Sequence, residues 1–212
     1  MKTIKCDPSN GLGPDCEEAI QAAVEDLKAG KLIVFPTDTV YGIGANIYNE
    51  IALKNLYKAK KRPYDMPLSV AVYDMAQLKS VANLCGKAEK LVDAFLPGPL
   101  TMIVPKKENV PDLLTSSSKK VGIRIPDNPI AREICRRFGP IVATSANIHS
   151  KPDALSAQDA IEDFGEQVST YIDAGSSLSG KPSTIVWLTR DEFEIIREGA
   201  ISADQIEEAL GC

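Results

Sequence analysis

The densest positive charge in the chain is Lys58-Ala59-Lys60-Lys61-Arg62-Pro63. A residue before proline avoids the α region, so Arg62 is expected in extended backbone. In extended chain, residues two apart share a side. Lys60 and Arg62 can then converge on one anion, a suitable clamp for phosphate. The same cluster also reads as the solvated end of a helix, where cations favour the negative end of the dipole. Ser145-Ala146-Asn147 has the same spacing and can present two polar side chains to one side. Ser and Asn are also common turn residues. Arg124 lies between Ile123 and Ile125, where an unpaired buried charge is costly. It either faces solvent or holds an anion or a carboxylate. Ser183 and Arg197 pose the same question.

Other chemistries lack their parts. His149 is the only histidine, which excludes a paired-histidine metal site and leaves little room for a Ser-His-Asp triad. There is neither a G-x-x-x-x-G-K-[ST] loop nor a G-x-G-x-x-G after a strand. A nucleotide would have to be held by scattered cations and hydroxyls. The five cysteines are odd in number and form no C-x-x-C, so neither a disulfide framework nor a zinc knuckle is expected. They read as core or surface residues of a protein in a reducing, cytoplasmic setting.

The elements that must position these groups are organised around Lys31 to Ala45, KLIVFPTDTVYGIGA. The apolar run Leu32 to Phe35 between Gly30 and Pro36 predicts a buried strand. It stops where Thr37, Asp38, Thr39, Tyr41, Gly42 and Gly44 begin. In α/β sheets, ligands bind outside the carboxyl ends of strands. Ahead of it, Asp15 and Glu18 have capping-box spacing, and Ile20, Val24 and Leu27 share a helical face. Helices are predicted over Asn49 to Lys61, twice within Met75 to Leu96, from Asn128 to about Phe138, over Ser156 to Phe164 and after Ser202. Further strands are predicted over Met1 to Cys6, Pro67 to Val72, Leu100 to Val104, Val121 to Ile125, Ile141 to Thr144 and Thr170 to Asp173. Ser183 to Leu188 and Phe193 to Arg197 form a hairpin turning at Thr189-Arg190-Asp191-Glu192. Strands and helices mix without strict alternation. This predicts one α/β domain over 1–212 with a twisted, mixed parallel and antiparallel sheet and flanking helices.

The 212 residues carry a formal net charge of −5, which argues against a chain whose main task is coating nucleic acid. A local basic groove remains open, because net charge says nothing of distribution. There is no apolar leader at the N-terminus and no apolar run long enough for a membrane span.

Taken in order, PTDTVYGIGA, Lys60-x-Arg62 before Pro63, LPGPLT, the Arg124 strand before Pro126, Ser145-x-Asn147, Ser183-Thr184-Ile185-Val186 and Ile196-Arg197-Glu198-Gly199 form a joint pattern. The chain resembles the YrdC-like family, the L-threonylcarbamoyladenylate synthases of the TsaC type, from about residue 14 to 210. The resemblance implies a twisted α/β sheet around a basic concave cavity. It implies conversion of L-threonine, bicarbonate and ATP to threonylcarbamoyl-AMP and pyrophosphate, for modification of adenosine in tRNA. It assigns Lys60 and Arg62 to the phosphates with Ser145 and Asn147 as partners. Thr37, Arg124 and Ser183 go to threonine, Thr39 and Tyr41 to the cavity wall, and Arg197 to ATP. Tyr64 and Ser69 border both ligands. Mg²⁺ would enter with ATP, and tRNA or the threonylcarbamoyl-transferase complex would be transient partners.

One departure stands out. The family commonly reads Ser-Ala-Asn-x-Ser-Gly, but here Ile148-His149-Ser150 follows Asn147, which puts that turn in doubt. The chain also reads as the short form, without the family's additional C-terminal domain. The rival reading is a module binding tRNA or duplex RNA through its basic cavity. Only Tyr57 and Tyr64 flank the basic cluster, too few for stacking platforms on single-stranded RNA, whereas duplex RNA read by shape escapes that test. A carbamoyl-transfer module of a larger maturation protein is disfavoured by the lack of acylphosphatase-like or zinc-finger segments.

Overall fold

Residues 1–177, 180–189 and 192–211 are described by a computed structural model. Among the described residues, eleven strands form the mixed α/β architecture expected, divided between two sheets. The first sheet contains β1 (Lys2–Lys5), β2 (Ile33–Phe35), β3 (Gly42–Gly44), β8 (Thr144–Ser145) and β9 (Thr170–Asp173). Its order is β1-β9-β2-β3-β8, parallel across β1, β9 and β2 and antiparallel from β2 to β8. The second contains β4 (Ser69–Ala71), β5 (Leu100–Pro105), β6 (Lys120–Arg124), β7 (Ile141–Val142), β10 (Thr184–Leu188) and β11 (Phe193–Arg197). Its order is β11-β10-β5-β6-β4-β7, again of mixed sense.

The predicted strand Ile141 to Thr144 explains the division. It splits at Ala143, so that β7 joins the second sheet and β8 the first. Chain order therefore brings the exits of β2, β3 and β8 beside the strands of the other sheet.

Most helices begin where capping chemistry predicts. In α2 (Glu50–Lys60) the Asn49 side chain accepts from Ala52 N–H, and in α6 (Pro129–Phe138) Asn128 accepts from Ile130 and Ala131 N–H with Pro129 opening the helix. Ser156 with Asp159 and Ser202 with Gln205 form full capping boxes on α7 (Ala157–Phe164) and α8 (Ala203–Leu210). The first helix, α1 (Pro14–Lys28), differs. Pro14 starts it one residue before the expected Asp15 cap, with Gly13 at the cap position and no side-chain cap. Ile20, Val24 and Leu27 are buried as their spacing requires, but Ile51 on α2 is 70% exposed. Met75 to Leu96 holds α3 (Met75–Val81) and α4 (Gly86–Phe95), and the remaining helix is α5 (Asp112–Thr115). The 183–197 hairpin is present, although Arg190 and Asp191 of its turn lie outside the described residues.

The cysteine expectation fails at one pair. Cys6 after β1 and Cys16 in α1 are joined by a disulfide, their Cα atoms 4.7 Å apart. The turn between them folds α1 back onto β1, a proximity that ten residues of separation did not reveal. Cys135 is free and buried, and burial pushes its thiol up to about 12. Cys85 is free and half-buried, and Cys212 lies outside the described residues. Among the described residues, no helix is long and apolar enough to cross a membrane.

Candidate functional site

A cavity of about 210 Å³ lies between the two sheets. The second sheet supplies one wall through strand alternation. Along β6, Val121 and Ile123 point into the core, so Gly122 and Arg124 face the other way. Ser69 of β4 pairs with Gly122 in register, and a Cβ on Gly122 would come within 2.9 Å of the Ser69 hydroxyl. The absent side chain leaves room for that hydroxyl. Thr101 of β5 and Ile185 of β10 extend the wall, with Ser183 and Arg197 at its edge. The first sheet and its loops contribute Phe35, Thr37, Thr39, Tyr41, Gly42 and Ser145.

The cavity thus gathers seven of the ten residues that the resemblance assigns to ligands: Thr37, Arg62, Ser69, Arg124, Ser145, Ser183 and Arg197. Thr39 and Tyr41 line it as expected. It does not take in Lys60, Tyr64 or Asn147. Tyr64 is 55% exposed, its ring against Tyr57 with centroids 4.8 Å apart.

Lys60 corrects the expectation of an accessible clamp. Its side chain is 1% exposed, and Nζ donates to the carbonyls of Ser145 at 2.5 Å and Asn147 at 2.7 Å. The reason is local. Lys60 is still helical, and Lys61 takes φ 50°, with its N–H on Lys58 O and Arg62 N–H on Tyr57 O. This is a helix-ending reversal with lysine in the position glycine usually holds. It turns the chain between Lys60 and Arg62, so one points into the protein and the other lines the cavity. Burial pulls the Lys60 ammonium down to about 7, and Arg62 adds to the effect while Asp153 and Asp163 oppose it.

That shift carries a sign. Between the folded value and the ordinary lysine value the unfolded chain binds more protons, so stability rises with pH across this window. From pH 7 to 10 the Lys60 contribution should grow by about 3 kcal/mol. Urea midpoints of wild type and Lys60→Met, taken across that range, should diverge accordingly, and parallel curves would show that Lys60 does not titrate there.

The Ser-x-Asn pair converges as its spacing predicted. Ser145 Oγ donates to Asn147 Oδ1 at 2.5 Å, but Asn147 is 6% exposed and its amide holds the carbonyl of Lys151. Asn147 thus shapes the loop from the inside, while Ser145 reaches the cavity. The doubtful turn is formed after all. Ser150, at the position where the resemblance implies glycine, adopts φ 69°. That region costs a side-chain-bearing residue roughly 1–2 kcal/mol. Ser150→Gly should therefore raise stability by about 1 kcal/mol, or about 2–4 °C in a thermal melt, whereas a lowered melting point would contradict the strained turn.

Arg124 resolves its open choice by holding a carboxylate from within the chain. Nη2 lies 2.6 Å from Asp38 Oδ1, Nη1 donates to Thr39 Oγ1 at 2.9 Å, and Nε donates to Gly98 O at 2.8 Å. The Asp38 approach is a charge contact without hydrogen-bond alignment. It leaves Arg124 Nη2 and Asp38 Oδ2 buried without hydrogen-bond partners. Thr39 passes the order on, its hydroxyl 3.0 Å from that of Thr37, which bonds Val40 O. Burial lowers the Arg124 pKa, opposed by the Asp38 charge.

Arg62 Nε and Nη2 donate to the carbonyls of Met66 and Pro67. Arg197 donates to Ser183 O at 2.7 and 3.2 Å and to Ser183 Oγ at 3.3 Å, and that hydroxyl shares a 2.8 Å bond with Thr101. Burial lowers the pKa of both arginines. Backbone approach fixes this corner: a Cβ on Gly199 would fall 2.3 Å from Pro182 O. Sequence reasoning missed Thr101 and Asp153. Thr101 was legible as the strand residue after Leu100, on the face opposite buried Met102. Asp153 left no signal beyond a polar residue after proline in a loop.

The Sua5/YciO/YrdC family model, described as "Telomere recombination", matches residues 25–199. A Pyrococcus abyssi protein named threonylcarbamoyl-AMP synthase is 39% identical over 197 residues, covering 92% of this chain and 58% of that protein. A Methanocaldococcus jannaschii protein named putative threonylcarbamoyl-AMP synthase is 38% identical over 194 residues, covering 90% of this chain and 92% of that one. The crystal structure of P. abyssi Sua5 complexed with L-threonine superposes with a TM-score of 0.93 at 36% identity, covering 100% of this chain and 61% of that one. With most of its length matched by the family model and relatives above a third identical over nearly all of it, the chain belongs to the Sua5/YciO/YrdC family.

Proposed function

We propose that this chain is a threonylcarbamoyl-AMP synthase, forming threonylcarbamoyl-AMP and pyrophosphate from L-threonine, bicarbonate and ATP. The observation that carries the reading is the cavity itself. Three arginines and a ring of hydroxyls converge between the sheets in a chain whose relatives bear that name. The nucleophile is a carboxylate oxygen of N-carboxy-threonine. It bonds to the α-phosphorus of ATP as the bond to pyrophosphate breaks, so no protein nucleophile is required. Negative charge builds on the phosphate oxygens, which fixed guanidinium donors stabilise. Holding two anionic reactants in line supplies further rate.

In this reading Arg62 and Arg197 serve the phosphates, with Ser145 beside them. Thr37 and Ser183 bond the threonine hydroxyl and neighbouring groups. Arg124 lines the cavity and faces the substrate carboxylate, held in place by Asp38, Thr39 and Gly98. Lys60 acts by holding the Ser145 and Asn147 carbonyls rather than by touching phosphate. Among the described residues no three metal-ligating side chains cluster, and Asp153 is the single carboxylate lining the cavity. A Mg²⁺ ion arriving with ATP would be held by the phosphates and water. Product transfer to tRNA by a separate complex completes the proposed role.

Amino-acid selectivity tests the reading. A pocket that bonds a substrate hydroxyl rejects an analogue lacking it more strongly than one lacking a methyl. Serine should be used about tenfold to a few hundredfold less well than threonine. Valine should fail more completely, since it leaves buried hydroxyls unpaired. Equal kcat/KM for valine and threonine would overturn the pocket assignment.

A further inference from the structure

Among the described residues, Asp153 is the one carboxylate lining a cavity otherwise walled by arginines, hydroxyls and apolar groups. None of the three arginines neutralises it. Arg62 is turned to the Met66 and Pro67 carbonyls, Arg197 to Ser183, and Arg124 to Asp38. Lys60 and Arg197 feel the Asp153 charge at a distance. Among the described residues its carboxylate makes neither a hydrogen bond nor an ion pair.

Its position is nonetheless built. Two residues before it, the Lys151 carbonyl takes the Asn147 amide at 2.6 Å, and Lys151 Nζ is spent on Asp163. One residue after it, the Ala154 carbonyl takes the Tyr41 N–H at 2.9 Å, and Ala154 is buried in the core. Asp153 is thus pinned on both sides, to the Ser-x-Asn loop and to the opening loop of the site. An unpaired anion fixed in a cavity complements a cation in the ligand. ATP and bicarbonate are anions, and of the three organic and inorganic reactants only L-threonine carries a cationic group, its α-ammonium.

Resting on the proposed function, we infer that Asp153 receives the α-ammonium of the amino-acid substrate and selects amino acids over hydroxy acids. A hydrogen bond to a charged group is worth enough to change affinity about tenfold to a hundredfold. Asp153→Asn keeps the shape of the side chain and removes its charge. Calorimetric titrations of wild type and Asp153→Asn would use L-threonine, 2,3-dihydroxybutanoate, which replaces the amine by a hydroxyl, and ATP with and without Mg²⁺. Wild type should prefer threonine to the dihydroxy acid by about tenfold or more. The variant should lose most of that preference, through weaker threonine binding, with ATP affinity unchanged. Unaltered threonine affinity in the variant overturns the inference while leaving the synthase reading intact. Equal losses for threonine and the dihydroxy acid overturn it too, since they mean general loss of the site. A fall in Mg²⁺–ATP affinity alone gives Asp153 to the nucleotide's metal ion and overturns it. Absence of threonine binding to wild type removes both the inference and the function it rests on.

Discussion

Arg62→Ala is expected to lower kcat by about 10²–10³-fold, the usual loss when one fixed donor to a transition-state charge is removed. The fold should scarcely notice. Arg62 is half-buried, and its two acceptors are carbonyls with alternatives. Met66 O also receives the Tyr57 hydroxyl at 3.1 Å, and the Pro67 bond is exposed to water. Losing such partners costs little when solvent replaces them. The thermal midpoint should therefore stay within a few degrees of wild type. Arg62→Lys keeps the charge but not the planar two-donor fork, so it should recover only part of the rate. Wild-type turnover in Arg62→Ala would return the basic cluster to its plainer reading, a charged helix end.

Arg124→Ala is expected to act on stability as well as on substrate. Arg124 and Asp38 are 13% and 14% exposed at the side chain and in contact at 2.6 Å. Removing the arginine strands the Asp38 carboxylate and strips Thr39 and Gly98 of a donor. Breaking a buried pair from one side typically costs about 3–5 kcal/mol. A chain of this size should melt about 2–4 °C lower for each kcal/mol lost. Asp38→Asn in the same background should restore part of the loss, because it removes the stranded charge, and a double-mutant cycle reads that coupling. Additive losses would mean that the two side chains do not act as a pair. Threonine binding should weaken in Arg124→Ala more than ATP binding. Collapse of ATP affinity with threonine affinity kept would reverse the two halves of the site.

The parts of the fold carried by local chemistry were legible from residues alone. The alternation Val121, Ile123 against Arg124 set both the strand and the face of the arginine. Asn128, Ser156 and Ser202 announced their helices because capping is a short-range hydrogen bond. β3 was not legible, since Gly42-Ile43-Gly44 lacks the composition of a strand. Its glycines answer a tertiary demand: a Cβ on Gly42 or Gly44 would come 3.1 or 2.9 Å from the Phe35 ring.

The site was legible in its members but less so in its connections. Lys60 and Arg62 were paired on an extended-chain argument from Pro63, and the left-handed Lys61 separates them. The Arg124–Asp38 pair, the Cys6–Cys16 bond and the place of Asp153 all join segments whose meeting depends on the whole topology. No spacing in the sequence reports such meetings. Ser150 shows the opposite case, in which the glycine that the resemblance implies is missing but the backbone keeps the glycine conformation.

The most direct test of the central claim is product formation by the wild-type chain. Incubation with L-threonine, bicarbonate and Mg²⁺–ATP, followed by mass detection, should yield threonylcarbamoyl-AMP and an equal amount of pyrophosphate. Both should vanish when threonine or bicarbonate is omitted. Absence of the adenylate at high enzyme concentration, with all three substrates present, would contradict the account.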